Sequence, residues 1–136
     1  MLMGIAGLLF VWTSAEVLKI EDRFPPAGQF SGVAGQRTHF VDLSPDKPSN
    51  LPPLVFIHGA SGNLNDQLTP FAPALGERAR MIFIDRPGHG YSERGYAETP
   101  AQHAERYKLL LDDLAIEKAI FIGHSLGSAS IAAFGV

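Results

Sequence analysis

The segment Gly123-His124-Ser125-Leu126-Gly127 follows the apolar run Ala119-Ile120-Phe121-Ile122 and precedes the small-residue stretch Ser128 to Ala133. Few arrangements accommodate that order. An extended run must reverse sharply into a helix with one serine at the tip. A glycine two residues to either side lets strand and helix backbones approach closely. A G-x-S-x-G turn in this setting has the form of a nucleophile elbow. The serine is expected in a strained conformation, its hydroxyl raised above a sheet. The start of the helix aims backbone N–H groups at the same point. The bland alternative is a glycine-rich turn whose serine only caps the helix.

Two further runs of the same kind lie upstream. Leu54 to Ile57 leads into His58-Gly59-Ala60-Ser61-Gly62, and Met81 to Ile84 leads into Asp85-Arg86-Pro87-Gly88-His89-Gly90-Tyr91-Ser92. Each is wholly apolar rather than alternating, which predicts strands covered on both faces in a parallel sheet. Helices are predicted between them. The clearer one runs from Pro100 to about Ala115, with Thr99 as N-cap, Pro100 in the first helical position and Gln102 completing a capping box. Its apolar face is Ala104, Tyr107, Leu110, Leu111 and Leu114. The other spans about Gln67 to Arg80, with Leu68, Phe71, Ala72 and Leu75 on one face and Pro70 and Pro73 making its start irregular. Gln29 to Val33 and Gln36 to Leu43 predict an antiparallel hairpin turning at Ala34-Gly35, and residues 44–53 a surface loop. The pattern is α/β with right-handed crossovers. Ligands of such sheets bind beyond the carboxyl ends of the strands, where the three glycine-rich loops fall.

On these motifs and their order, residues from about Phe30 to the last resemble the amino-terminal part of an α/β-hydrolase fold protein, of the branch with a serine nucleophile. The resemblance implies that Ser125 is the catalytic nucleophile. It implies an oxyanion hole made by the backbone N–H groups of Ala60 and Leu126, and gives His58, Gly59, Asp85, Gly88, Gly90, Gly123, His124 and Gly127 supporting places in the motifs. Two fixed N–H donors stabilise the negative charge that builds on a carbonyl oxygen under attack. Relatives that open epoxides or remove halide carry aspartate at the elbow, because they form an alkyl ester with a carboxylate. Serine points instead to acyl chemistry: hydrolysis of an ester, thioester, amide or lactone, or cleavage of a C–C bond beside a ketone. A cofactor-free perhydrolase activity stays open. A small acyl compound is the expected partner, with no cofactor and no metal.

A serine hydroxyl needs a base, and in this fold the chain order is Ser, then Asp or Glu, then His. After Ser125 come Leu126 to Val136, none of them acidic or histidine, and the five histidines (His39, His58, His89, His103, His124) all lie at or before 124. The expectation is therefore a chain truncated after the elbow, with its acid and histidine elsewhere. Its run 119–122 would then be a bare apolar edge, and the polypeptide poorly soluble alone. A different reading is a non-catalytic remnant or binding module of the same fold.

Apolar residues make up 46% of 136, enough for a core, and a net charge of −3 without a basic patch argues against nucleic acid. The absence of cysteine excludes disulfides and thiolate chemistry. Residues 1–28 divide from the domain at 29–136. Leu2 to Trp12 carry no charge. They read as a signal or anchor segment, with membrane association through residues 2–20, or as a helix docked on the domain; export or anchoring and a cytoplasmic location stay open alike. Phe24 to Gly28 would be a linker. Among other residues, Asp85 is expected to bond loop N–H groups. Arg86 is expected to pair with Asp85 or with a segment beyond the chain. Ser61 and Ser92 read as turn residues, and Tyr91 and Tyr96 as loop-packing residues or the lining of an acyl pocket.

Overall fold

The computed structural model describes residues 2–95 and 99–135. Tyr96 lies outside the described residues. The elements are α1 (Leu2–Arg23), β1 (Gln29–Ser31), β2 (Thr38–Leu43), β3 (Leu54–Ile57), α2 (Asn65–Leu75), β4 (Met81–Ile84), α3 (Pro100–Asp113), β5 (Ile120–Gly123) and α4 (Leu126–Ala132), with short 3-10 turns at Val33–Gly35 and Ala133–Gly135.

The strands form one sheet in the order β1-β2-β4-β3-β5. β1 and β2 pair antiparallel, and β2 joins antiparallel to β4, with Phe40 opposite Ile84. β3 runs parallel to β4 on one side and to β5 on the other, with Ile57 opposite both Ile84 and Gly123. The carboxyl ends of the three parallel strands therefore finish level.

Strand side chains alternate between two helix-covered faces, which is why β3 and β4 are apolar at every position. Val55, Ile57, Ile82 and Ile84 pack with Tyr107, Leu110 and Leu111 of α3. Phe56, Met81 and Phe83 pack on the opposite face with Leu64, against Leu68, Phe71 and Leu75 of α2. The rings of Phe56 and Phe83 stack at 4.5 Å. Each such buried side chain contributes about 1.5–3 kcal/mol. β5 departs from the expected double burial: Ile120 is 45% exposed. Among the described residues it pairs with β3 alone, at one edge of the sheet.

α3 begins as the sequence predicts. Thr99 Oγ1 accepts from the Gln102 amide at 3.3 Å, and Gln102 Oε1 accepts from the Thr99 amide at 2.7 Å. The helix also buries Arg106, which donates to Thr38 Oγ1, Gln36 Oε1 and the carbonyls of Arg37 and Glu93. A guanidinium so fully hydrogen-bonded can lie in the interior.

Three boundaries differ from expectation. α2 ends at Leu75 rather than Arg80. Beyond Gly76 the chain turns into the sheet: Ala79 is fully buried, the Arg80 carbonyl accepts from Leu54 N–H at 2.8 Å, and the Arg80 side chain grips Asp42 with Nε at 3.0 Å and Nη2 at 2.6 Å. β1 stops at Ser31, because Val33–Gly35 closes as a 3-10 turn with Gly35 at φ 70°. β2 starts at Thr38 rather than Gln36.

α1 is continuous through Arg23, and its large apolar side chains from Ile5 to Trp12 are exposed. The Tyr91 hydroxyl donates to the Phe24 carbonyl just past its end. Among the described residues, no helix is long and apolar enough to cross a membrane.

Candidate active site

The turn from β5 to α4 is built around Ser125, which stands exposed at φ 50°, ψ −119°. A left-handed φ at a non-glycine residue is strained, by about 1–3 kcal/mol. The two flanking glycines hold it there. A Cβ on Gly123 would lie 2.9 Å from Ser128 Cα, and one on Gly127 would lie 2.7 Å from the His58 carbonyl oxygen. Backbone therefore packs against backbone at both positions. The His124 amide donates to the Ile57 carbonyl at 3.0 Å, extending the β3–β5 ladder to the residue before the serine. Leu126, exposed, opens α4.

The loop after β3 lies against this turn. A Cβ on Gly59 would fall 3.4 Å from Ser125 Cβ and 2.8 Å from His124 Nδ1. Glycine thus leaves room for the His124 ring. Ala60 follows, exposed. The loop after β4 completes the cluster: Arg86 Nη1 donates to the Gly59 carbonyl at 3.0 Å, and His89 Nε2 lies 2.6 Å from the Ala60 carbonyl oxygen. All three glycine-rich loops meet at the carboxyl ends of the parallel strands.

Both histidines that end strands are engaged by backbone. The Arg86 amide donates to His58 Nε2 at 2.9 Å. That nitrogen must carry a lone pair, so Nδ1 holds the proton and donates it to the Gly59 carbonyl at 2.8 Å. Burial pushes the His58 pKa below its ordinary value; the Gly59 hydrogen bond and the Asp85 charge oppose the shift, and Arg86 and His89 add to it. The His89 nitrogens face the carbonyls of Pro87 and Ala60.

Asp85 ties these loops together. Its Oδ1 accepts from the Leu64 amide at 2.8 Å, and its Oδ2 accepts from the Tyr91 amide at 3.0 Å and lies 2.7 Å from His39 Nδ1. Gly90, at φ 51°, leaves space that any Cβ would take from the carboxylate, and Gly88 at φ 71° gives the same loop its other reversal. Ser92 does more than turn the chain: its Oγ donates to the Asp85 carbonyl at 2.8 Å and accepts from the His39 amide at 2.9 Å. Of the two partners expected for Arg86, Asp85 is not the one it takes: Nη1 donates to the Gly59 carbonyl, and the carboxylate is already surrounded by other donors.

Sequence reasoning missed His39. Nothing in Thr38-His39-Phe40 distinguishes a buried partner of Asp85 from an ordinary strand residue. It also missed Gln67, which is buried and, with His58, Gly59, Phe71, Gly123 and His124, lines a cavity of about 390 Å³ beside the elbow. Its signal was obscured by its place at the expected start of an irregular helix.

Residues 52–135 match the family profile described as alpha/beta hydrolase fold. The dihydrolipoyllysine-residue acetyltransferase component of an acetoin cleaving system from Pseudomonas putida is 37% identical over 105 residues, which span 76% of this chain and 27% of that protein. Esterase YbfF from Escherichia coli is 36% identical over 84 residues, 62% of this chain and 33% of the esterase. Among solved structures, a meta-cleavage product hydrolase (CumD) from Pseudomonas fluorescens IP01 aligns with a TM-score of 0.67 at 26% identity, covering 78% of this chain and 39% of that one. The chain thus spans about a third or less of the length of these two curated relatives. With the half-sheet, the crossover helices and the three loops in the family's order, the chain belongs to the α/β-hydrolase fold family.

Proposed function

We propose that Ser125 is the nucleophile of a hydrolase acting on an ester, thioester, amide or related acyl bond. The observation that carries this reading is the left-handed serine, exposed between two glycines that admit no side chain. Its oxygen would attack the carbonyl carbon, forming an acyl-serine and releasing the leaving group with a proton; water would then release the acid. The N–H groups of Ala60 and Leu126 would hold the oxyanion, each worth about 3 kcal/mol in such a site. The names of an acetyltransferase component, an esterase and a meta-cleavage hydrolase among the similar proteins support carbonyl chemistry. The serine itself argues against epoxide or haloalkane substrates, which need a carboxylate nucleophile.

Such a serine needs a base, and an acid to orient that base. His124 is adjacent to the serine, and its ring packs against Gly59. Both His58 nitrogens are hydrogen-bonded to backbone, and both His89 nitrogens face backbone carbonyls. Those engaged histidines favour a second reading for the chain by itself, a binding module without turnover.

Labelling with a fluorophosphonate probe, followed by peptide mapping, tests both. The first reading expects modification at Ser125 that is absent in Ser125→Ala. A folded chain that never reacts supports the second. Modification at another serine overturns the assignment.

A further inference from the structure

We infer that the amino-terminal half of α1 inserts into a phospholipid bilayer and seats the loop of residues 85–92 at its surface. Leu8, Leu9, Phe10, Val11 and Trp12 are 57–74% exposed. Five consecutive helical residues point to every side of the axis. No flank of this segment is covered by the domain, and none is polar. A protein groove covers one stripe of a helix, whereas a helix apolar all round needs apolar surroundings all round. Hydrocarbon supplies that.

The charge distribution agrees. No charged residue occurs from Leu2 to Ala15, and then Glu16, Lys19, Glu21, Asp22 and Arg23 follow within the same helix. Trp12, 64% exposed, stands near the junction of the apolar and charged halves. An indole is favoured at that depth, where hydrocarbon gives way to headgroups. The stretch from Gly4 to Ala15 rises about 18 Å, a little over half of the ~30 Å hydrocarbon thickness. Because acidic and basic residues mix in the polar half, a zwitterionic bilayer suffices and anionic lipid is not required.

The charged end stays with the domain. Beyond Arg23, the Phe24 carbonyl accepts from the Tyr91 hydroxyl. Val17, Ile20 and Phe24 face Asp85, Gly90 and Tyr91 across a cavity of about 620 Å³. An inserted α1 would therefore hold this cavity at the lipid surface.

Trp12 is the sole tryptophan, so its emission reports on this helix alone. The test mixes the 136-residue chain with phosphatidylcholine vesicles. The expected result is a blue shift, quenching by acyl-brominated lipid, and flotation with the vesicles. Leu8→Asp combined with Phe10→Asp, shown to be folded by circular dichroism, should weaken partitioning by more than roughly a hundredfold. Unchanged emission from a folded chain overturns the inference. So does a blue shift already present without vesicles and lost on dilution, which means pairing of α1 between copies. Binding confined to anionic vesicles and reversed by salt overturns it as well.

Discussion

The imidazole of His39 and the carboxylate of Asp85 lie 2.7 Å apart, each side chain 2% exposed, joining an antiparallel strand to the loop that follows β4. The carboxylate meets donors on all sides: His39, the Leu64 amide and the Tyr91 amide. Asp85→Asn keeps the shape but turns one acceptor into an NH2 group facing an N–H. The expected loss of stability is about 2–4 kcal/mol. Urea denaturation checks it, and a shift under about 1 kcal/mol contradicts the hub role.

Gly127 and Gly32 make a matched pair. A Cβ at Gly127 would meet the carbonyl oxygens of Ile57 and His58, whereas one at Gly32 meets nothing within 4 Å, and Gly32 sits at φ −89°. Gly127→Ala must push α4 off the end of β3 and should cost about 2 kcal/mol or more. Gly32→Ala should change stability by no more than about 0.5 kcal/mol. Parallel thermal melts of the two variants give the comparison.

Ser125→Gly should stabilise the fold. Relief of the left-handed φ gains about 1–3 kcal/mol, and the looser unfolded chain returns about 0.4–1 of it. The net expectation is a gain near 1 kcal/mol. Ser125→Ala retains the strain and should show no such gain. Equal melting temperatures for the two variants would count against strain at the elbow.

His58 gives the stability an acid limb. Its folded pKa lies below the ordinary histidine value of about 6.5 because burial disfavours the imidazolium. Between the folded and unfolded values, the unfolded chain binds more protons, so stability falls as pH drops below about 6.5 towards the folded value. Above that range its contribution is constant. Denaturation midpoints measured between about pH 5 and 8 should fall on the acid side, and His58→Gln should flatten that slope. A slope unaffected by the substitution assigns the limb to other groups.

Much of the local architecture was legible before the fold was known. The α3 capping box is a contact among neighbours in sequence, and Thr99 and Gln102 form it as expected. The apolar runs at 54–57 and 81–84 are strands because each residue alternately serves one of two cores. The Gly123 and Gly127 requirements follow from the sharpness of one turn. Less legible were Arg106 and His103, polar residues inside a helix whose apolar face alone was predicted to be buried. Periodicity finds the stripe but cannot tell which polar neighbours have partners waiting.

The order of residues alone determined the strand–turn–helix units and the serine at the elbow, because those depend on propensity, capping and steric crowding within a few residues. Only the tertiary structure decided that the antiparallel pair joins β4, and which backbone groups His58 and His89 engage. It also set His39 on Asp85, 46 residues away. Such pairings are chosen by burial and by donor–acceptor matching across the assembled sheet, and no stretch of neighbouring residues records them.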